Sequence, residues 1–84
     1  KLTCWVSVGD GKWQYRKDGR LIKNDMVWDS EYQAWYAFDS QGYMIRSALF
    51  QYQNKYVWLE ESGKMLKNGE LKLKADNSGY LSKI

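Results

Sequence analysis

Apolar and polar positions alternate along this chain in short runs, each broken by a turn containing glycine. Trp5-Val6-Ser7-Val8 alternates, Gly9-Asp10-Gly11-Lys12 carries tight-turn residues, and Trp13-Gln14-Tyr15 alternates again. A period of two is the signature of a half-buried strand, and Asp-Gly between two such runs favours a type I′ hairpin loop. A two-residue loop at Asp10-Gly11 would set Val8 opposite Trp13 and Val6 opposite Tyr15. Those four side chains would then share an inner face, with Trp5, Ser7 and Gln14 on the outer one.

The pattern recurs. Gly19, Gly42, Gly63 and Gly79 each follow a short polar segment and stand two residues before Leu21, Met44, Met65 or Leu81, at intervals of 23, 21 and 16 residues. Such regularity predicts a repeat architecture. Counted back from Gly63, Phe50, Tyr52, Val57 and Leu59 take the slots of Val6, Val8, Trp13 and Tyr15, leaving Leu49, Tyr56 and Trp58 outside. In the second unit Tyr36 and Phe38 point inward, Trp28 and Trp35 outward, and two additional residues fit an enlarged loop through Asp29–Ala34 that keeps Asp29 and Glu31 out of the core. The fourth unit is short, and its alternating Lys72 and Lys74 suit a terminal cap. With no proline and no sustained 3.6-residue period, nothing argues for a helix. The expected fold is all-β, a solenoid of stacked β-hairpins with about three hairpins and a shortened terminal unit. Residues 1–84 form a single module with repeats at approximately 5–24, 25–47, 48–68 and 69–84. The abrupt start reads as a piece excised from a larger protein, with Leu2 filling the apolar slot of a preceding repeat.

Composition narrows the chemistry. Aromatic residues make up 17% of the chain and mean hydropathy is −0.71, which fits a thin structure built on large faces with polar tips. A single cysteine, Cys4, and no histidine remove an internal disulfide framework and the usual zinc ligand sets. Without histidine, a reactive-cysteine context or paired carboxylates outside turns, acid–base and nucleophilic catalysis lack their residues, so no enzyme activity and no cofactor is expected. Asp18, Asp39, Glu60 and Asp76 read as turn residues that cap local amides. A net charge of +3 with dispersed lysines favours anionic surroundings without demanding nucleic acid, and no apolar stretch reaches membrane-spanning length.

Trp28 with Trp35-Tyr36-Ala37-Phe38-Asp39-Ser40-Gln41-Gly42-Tyr43-Met44, and the twice-used segment Gly19-Arg20-Leu21-Ile22-Lys23-Asn24 and Gly63-Lys64-Met65-Leu66-Lys67-Asn68, resemble the choline-binding or cell-wall-binding repeats of Gram-positive surface proteins and lysins. Glucan-binding repeats are similar. The resemblance covers residues 5–84 and implies a hairpin solenoid that anchors an attached protein outside the cell, at the bacterial surface or secreted. It also implies aromatic cages between successive hairpins, with a choline-bearing teichoic acid or wall glycan as partner. Against the family pattern, Lys12 stands where the return strand's leading Trp is expected, Tyr56 does so in the third unit, and Leu49 replaces a first-strand Trp.

The candidate ligand residues are Trp5, Trp28, Trp35, Tyr56 and Trp58, all expected on outer faces, with Met44 beneath. A quaternary ammonium has no hydrogen to donate, and its diffuse charge is best held by several ring faces. Trp28 and Trp35, with Trp58 or Tyr56 from the next hairpin, would form one such pocket. The same rings could stack on sugars or simply pack one hairpin on the next, which would make the chain a structural spacer or interaction stalk. Trp13, Tyr15, Tyr36 and Phe38 are assigned to the core. Lys23, Arg46, Lys67 and Lys83, each four residues after a repeat glycine, would align as a basic ladder for an anionic polymer. The terminal repeats offer a surface for pairing with a second copy.

Overall fold

Each of the first three units is a β-hairpin followed by a turn that brings the chain back onto the hairpin's return strand, and the fourth consists of one strand and that turn with its returning segment. The computed structural model covers all 84 residues and contains nine strands and no helix. β1 (Cys4–Ser7), β2 (Trp13–Lys17) and β3 (Arg20–Leu21) form a three-stranded antiparallel sheet. Three two-stranded hairpins follow: β4 (Asp25–Asp29) with β5 (Ala34–Phe38), β6 (Ala48–Tyr52) with β7 (Lys55–Leu59), and β8 (Leu73–Ala75) with β9 (Leu81–Lys83). The molecule is elongated, 44 × 28 × 22 Å. This is an all-β stack of hairpins without a closed barrel, as the alternation predicts.

Equivalent positions are defined by the backbone ladder. Ile22 N–H donates to Tyr15 O at 3.0 Å, Ile45 to Ala37 at 2.9 Å and Leu66 to Trp58 at 2.9 Å, so Tyr15, Ala37 and Trp58 correspond. Between units, Met44 N–H donates to Trp13 O at 2.8 Å and Met65 N–H to Trp35 O at 2.9 Å. Trp13 therefore corresponds to Trp35, and Tyr56 to both. The first unit does have its leading Trp, and the expectation that Lys12 replaces it is wrong.

The error has two local causes, each a single residue. Asp10 and Gly11 form the anticipated loop, at φ 54° and 72°, with Lys12 N–H donating to Gly9 O. Gly9 also has positive φ, 88°, and Val8 N–H donates to Lys12 O, so Val8 and Gly9 together oppose one residue. This is a β-bulge, and it shifts the register by one. Trp5 pairs with Tyr15 and Ser7 with Trp13, while Val6 pairs with Gln14. The face expected to carry Val6 and Val8 carries Trp5 and Ser7 instead. The second cause is the turn at Asp18-Gly19, where the paired residues Arg16 and Leu21 enclose four residues. The corresponding turns in later units span five residues, between the bridged pairs Phe38/Met44 and Leu59/Met65. Counting back from the glycine therefore misaligns the first unit.

The second and third hairpins keep the expected faces. Val27 pairs with Tyr36 and Trp28 with Trp35; Phe50 pairs with Val57 and Leu49 with Trp58. Gln53 and Asn54, both at positive φ, close the third hairpin. The loop of the second hairpin is enlarged, but Asp29 ends β4 facing inward rather than lying in the loop, and only 6% of it is exposed.

The core sits where the first two hairpins meet. Tyr15, Val27, Tyr36 and Phe38 form its centre, with Trp5, Ile22, Ala34 and Met44 packed around them. Two of the repeat glycines, Gly42 and Gly63, are required by the stacking between units. A Cβ on Gly42 would stand 3.2 Å from the Leu21 side chain, and one on Gly63 only 2.5 Å from Met44 Sδ. Leu21 of the first unit and Met44 of the second thus pack on the glycine of the unit that follows. A Cβ on Gly19 would meet Leu2 at an ordinary contact distance of 3.7 Å, and one on Gly79 would meet nothing within 4 Å. The fourth hairpin is joined differently, by Lys83 Nζ to Glu60 Oε2 at 3.0 Å and by Leu81 beside Trp58. Asp39 and Asp76 cap their turns as expected: Asp39 Oδ1 accepts from the N–H of Gln41 and Tyr43, and Asp76 Oδ1 from those of Ser78 and Tyr80. Glu60 instead accepts from Trp58 Nε1 and Lys83.

Candidate functional site

The register shift opens a cleft of about 800 Å³ between the first and second hairpins. Trp5, Trp13 and Tyr15 come from the first hairpin, Tyr36 and Asp29 from the second, and Met44 from the turn that follows. Trp5 is the hub. It meets Tyr36 edge-on at a centroid distance of 4.7 Å, Tyr15 at 5.0 Å and Trp13 at 6.4 Å, with interplanar angles of 80–88°. Its indole N–H is buried without an acceptor. Trp13, assigned to the core from sequence, is 39% exposed and forms the open wall. Met44 is held in place by its N–H donating to Trp13 O.

Asp29 supplies the charge. Its Oδ1 accepts from the Tyr15 hydroxyl at 3.2 Å and its Oδ2 from Tyr32 N–H at 2.9 Å, so the bulged hairpin and the enlarged loop both converge on this carboxylate. Burial raises the Tyr15 pKa above its ordinary value, and the Asp29 charge and hydrogen bond add to the effect. Tyr36 is raised by burial and then by Asp29. Both phenols stay protonated, one of them as donor to the carboxylate. Glu31, Tyr32 and Lys64 stand at the rim, the Lys64 ammonium 5.9 Å from the centre of the Tyr32 ring. Aromatic rings, a polarizable thioether and a buried carboxylate thus line one cleft.

The other predicted residues are not gathered here. Trp28 and Trp35 form a cross-strand pair with centroids 5.8 Å apart, 42% and 38% exposed, on the opposite face of the second hairpin from Tyr36. Met65, not Met44, hydrogen-bonds beside Trp35. Tyr56 is 68% exposed, whereas Trp58 is only 7% exposed and packs toward the fourth unit, so its expected outer-face exposure does not hold. Trp5, also expected outside, is half-buried within the core cluster. Lys23, Arg46 and Lys67 are exposed, but Lys83 is held by Glu60. Sequence reasoning missed Trp13, Tyr15, Tyr36 and Asp29 as cleft residues. The available signal was Gly9, a third consecutive turn-forming residue before the return strand.

The architecture has close counterparts among solved structures. The choline binding domain of Spr1274 from Streptococcus pneumoniae superposes with TM-score 0.64 at 26% identity, over 82% of this chain and 100% of that one. This is the fold of the choline-binding repeat family. Another structure with this repeat fold is the multimodular pneumococcal cell wall endolysin from phage Cp-1, complexed with choline, with TM-score 0.66 and 22% identity over 99% of this chain. The autolysin LytC from S. pneumoniae, in complex with a synthetic peptidoglycan ligand, follows at TM-score 0.55 and 20% identity over 95% of this chain. The present chain spans 25% of the endolysin and 23% of the autolysin. No protein-family model matches the sequence, and no curated protein matches it. In choline-binding repeat terms, the first two hairpins of this chain meet in the aromatic cleft just described, and its third and fourth meet around Trp58.

Proposed function

We propose that this chain is a non-catalytic wall-binding module that anchors an attached protein to the bacterial envelope, outside the cell, by holding a cationic group of a wall polymer. The observation that carries this reading is the cleft itself, in which Trp5, Trp13 and Tyr36 stand around Met44 and the Asp29 carboxylate. Aromatic rings attract a cation, and a buried carboxylate of opposite sign lines the same cavity. The Spr1274 domain, described as choline-binding, supports choline-bearing teichoic acid as the class of partner. Lys23, Arg46 and Lys67, exposed on successive units, are suited to the phosphates of such a polymer. Packing between units accounts for Trp58 without a ligand, so that ring leaves the proposed site.

Tryptophan fluorescence titrated with choline, together with co-sedimentation with Gram-positive walls, tests the reading. Trp13→Ala removes one wall of the cleft and should weaken binding roughly 2- to 30-fold, the equivalent of about 0.5–2 kcal/mol for a cation–π contact. Trp58→Ala, corrected for lost stability, should leave affinity unchanged. A protein that neither responds to small ammonium ions nor sediments with walls is not a wall anchor of this kind.

A further inference from the structure

Asp29 does not follow from the repeat. The positions corresponding to it, opposite the residue just before Trp13, Trp35 or Tyr56, are Val8 in the first hairpin and Tyr52 in the third. A carboxylate 94% buried is costly unless paired, yet no basic side chain lies within ion-pair distance of it, the one ion pair of the chain being Lys83–Glu60. Its two hydrogen bonds, from Tyr15 OH and Tyr32 N–H, fill about half of the roughly four acceptor positions a carboxylate offers. Asp29 lines the cleft, so the remaining positions belong to the ligand site.

The aromatic walls accept any organic cation, but the carboxylate discriminates between kinds. A trimethylated nitrogen presents only methyl groups and keeps its charge at a distance. An ammonium with N–H bonds can place a donor on Asp29 and gain a charge-assisted hydrogen bond. Resting on the reading of the cleft as a cation site, we propose that its preferred ligand is an N–H-bearing ammonium, such as an aminoalkyl substituent of a wall polymer, with Asp29 as its acceptor and the trimethylated ion as the weaker ligand. The cleft then has the chemistry of an amine receptor on a choline-binding scaffold.

Three probes of similar size decide it: ethanolamine, choline, and 3,3-dimethylbutan-1-ol, the uncharged carbon isostere of choline, each titrated calorimetrically against the wild type and Asp29→Asn. A charge-assisted hydrogen bond corresponds to about tenfold or more in affinity. Ethanolamine should bind on the order of ten times tighter than choline, the isostere should bind least, and Asp29→Asn should abolish the preference. Should Asp29→Asn fail to fold, the wild-type ranking alone decides. Choline binding as tightly as ethanolamine, or tighter, overturns the amine proposal and leaves the cation site standing. Failure of both cations to bind overturns the two together.

Discussion

Replacing Gly63 with alanine isolates the contact that stacks one unit on the next. Gly63 has φ 91° and Gly79 has φ 90°, so alanine meets the same backbone strain at both, about 1–2 kcal/mol for a left-handed residue with a Cβ. Only at Gly63 does the new methyl collide with a neighbour, 2.5 Å from Met44 Sδ and 2.9 Å from its Cε. Overpacking costs typically about 1–3 kcal/mol, and the lower half of that range applies because a methionine chain can swing aside. Gly63→Ala should therefore destabilise by about 2–4 kcal/mol, against about 1–2 for Gly79→Ala. For a domain of this size the difference of roughly 1–2 kcal/mol corresponds to about 4–16 °C in Tm. Urea unfolding followed by tryptophan fluorescence measures it. Met44→Ala provides the cross-check, since in that background the excess cost at Gly63 should vanish. Equal losses at the two glycines, or an excess that survives Met44→Ala, would refute packing of Met44 on Gly63.

Tyr15→Phe removes the hydroxyl that donates to Asp29 Oδ1 and should cost about 1–3 kcal/mol in the same unfolding assay, well above the loss for a surface hydroxyl. Tyr15 and Tyr36 have folded pKa values raised above 10.0. Their contribution to stability is therefore complete below pH 10.0 and is lost as pH rises through their folded values; ultraviolet difference titration should show them ionising late and together with unfolding. Lys83→Ala removes an ion pair whose side chains are 43% and 29% exposed, and chemical denaturation should register no more than about 0.5 kcal/mol.

The fold was legible because repetition averages out local accidents. Alternation around Tyr36–Phe38 and Val57–Leu59, and glycines at near-regular spacing, fix strands, turns and faces without knowledge of any contact. The third hairpin is the clearest case, since its Gln53-Asn54 loop adds no residue and Phe50 pairs with Val57 as the alternation predicts, although Trp58 on the other face is buried. The candidate site was less legible because it depends on parity. One residue of bulge moves a side chain to the other face of the strand, and no count of apolar positions distinguishes Gly9 within the loop from Gly9 within the strand. Asp29 was misjudged for a different reason. A carboxylate is rightly expected outside a core, and its donors, Tyr15 from 14 residues earlier and the Tyr32 amide of the enlarged loop, become visible only once two hairpins are brought together.

These departures share one location. The bulge at Gly9 sets Trp5 on the same face as Trp13 and Tyr15, the turn at Asp18-Gly19 is one residue shorter than its counterparts, and the enlarged loop after Asp29 closes over the same space. Together they change what faces the gap between two hairpins. At the third hairpin, where the repeat runs regularly, the corresponding rings are either packed, as Trp58 is, or left in solvent, as Tyr56 is. A solenoid is stabilised by the sameness of its units, so irregularities gathered at one junction between hairpins single out the cleft there as the candidate site. Deleting Gly9 should therefore do more harm to cation binding than to the hairpin count, which circular dichroism and the choline and ethanolamine titrations would separate.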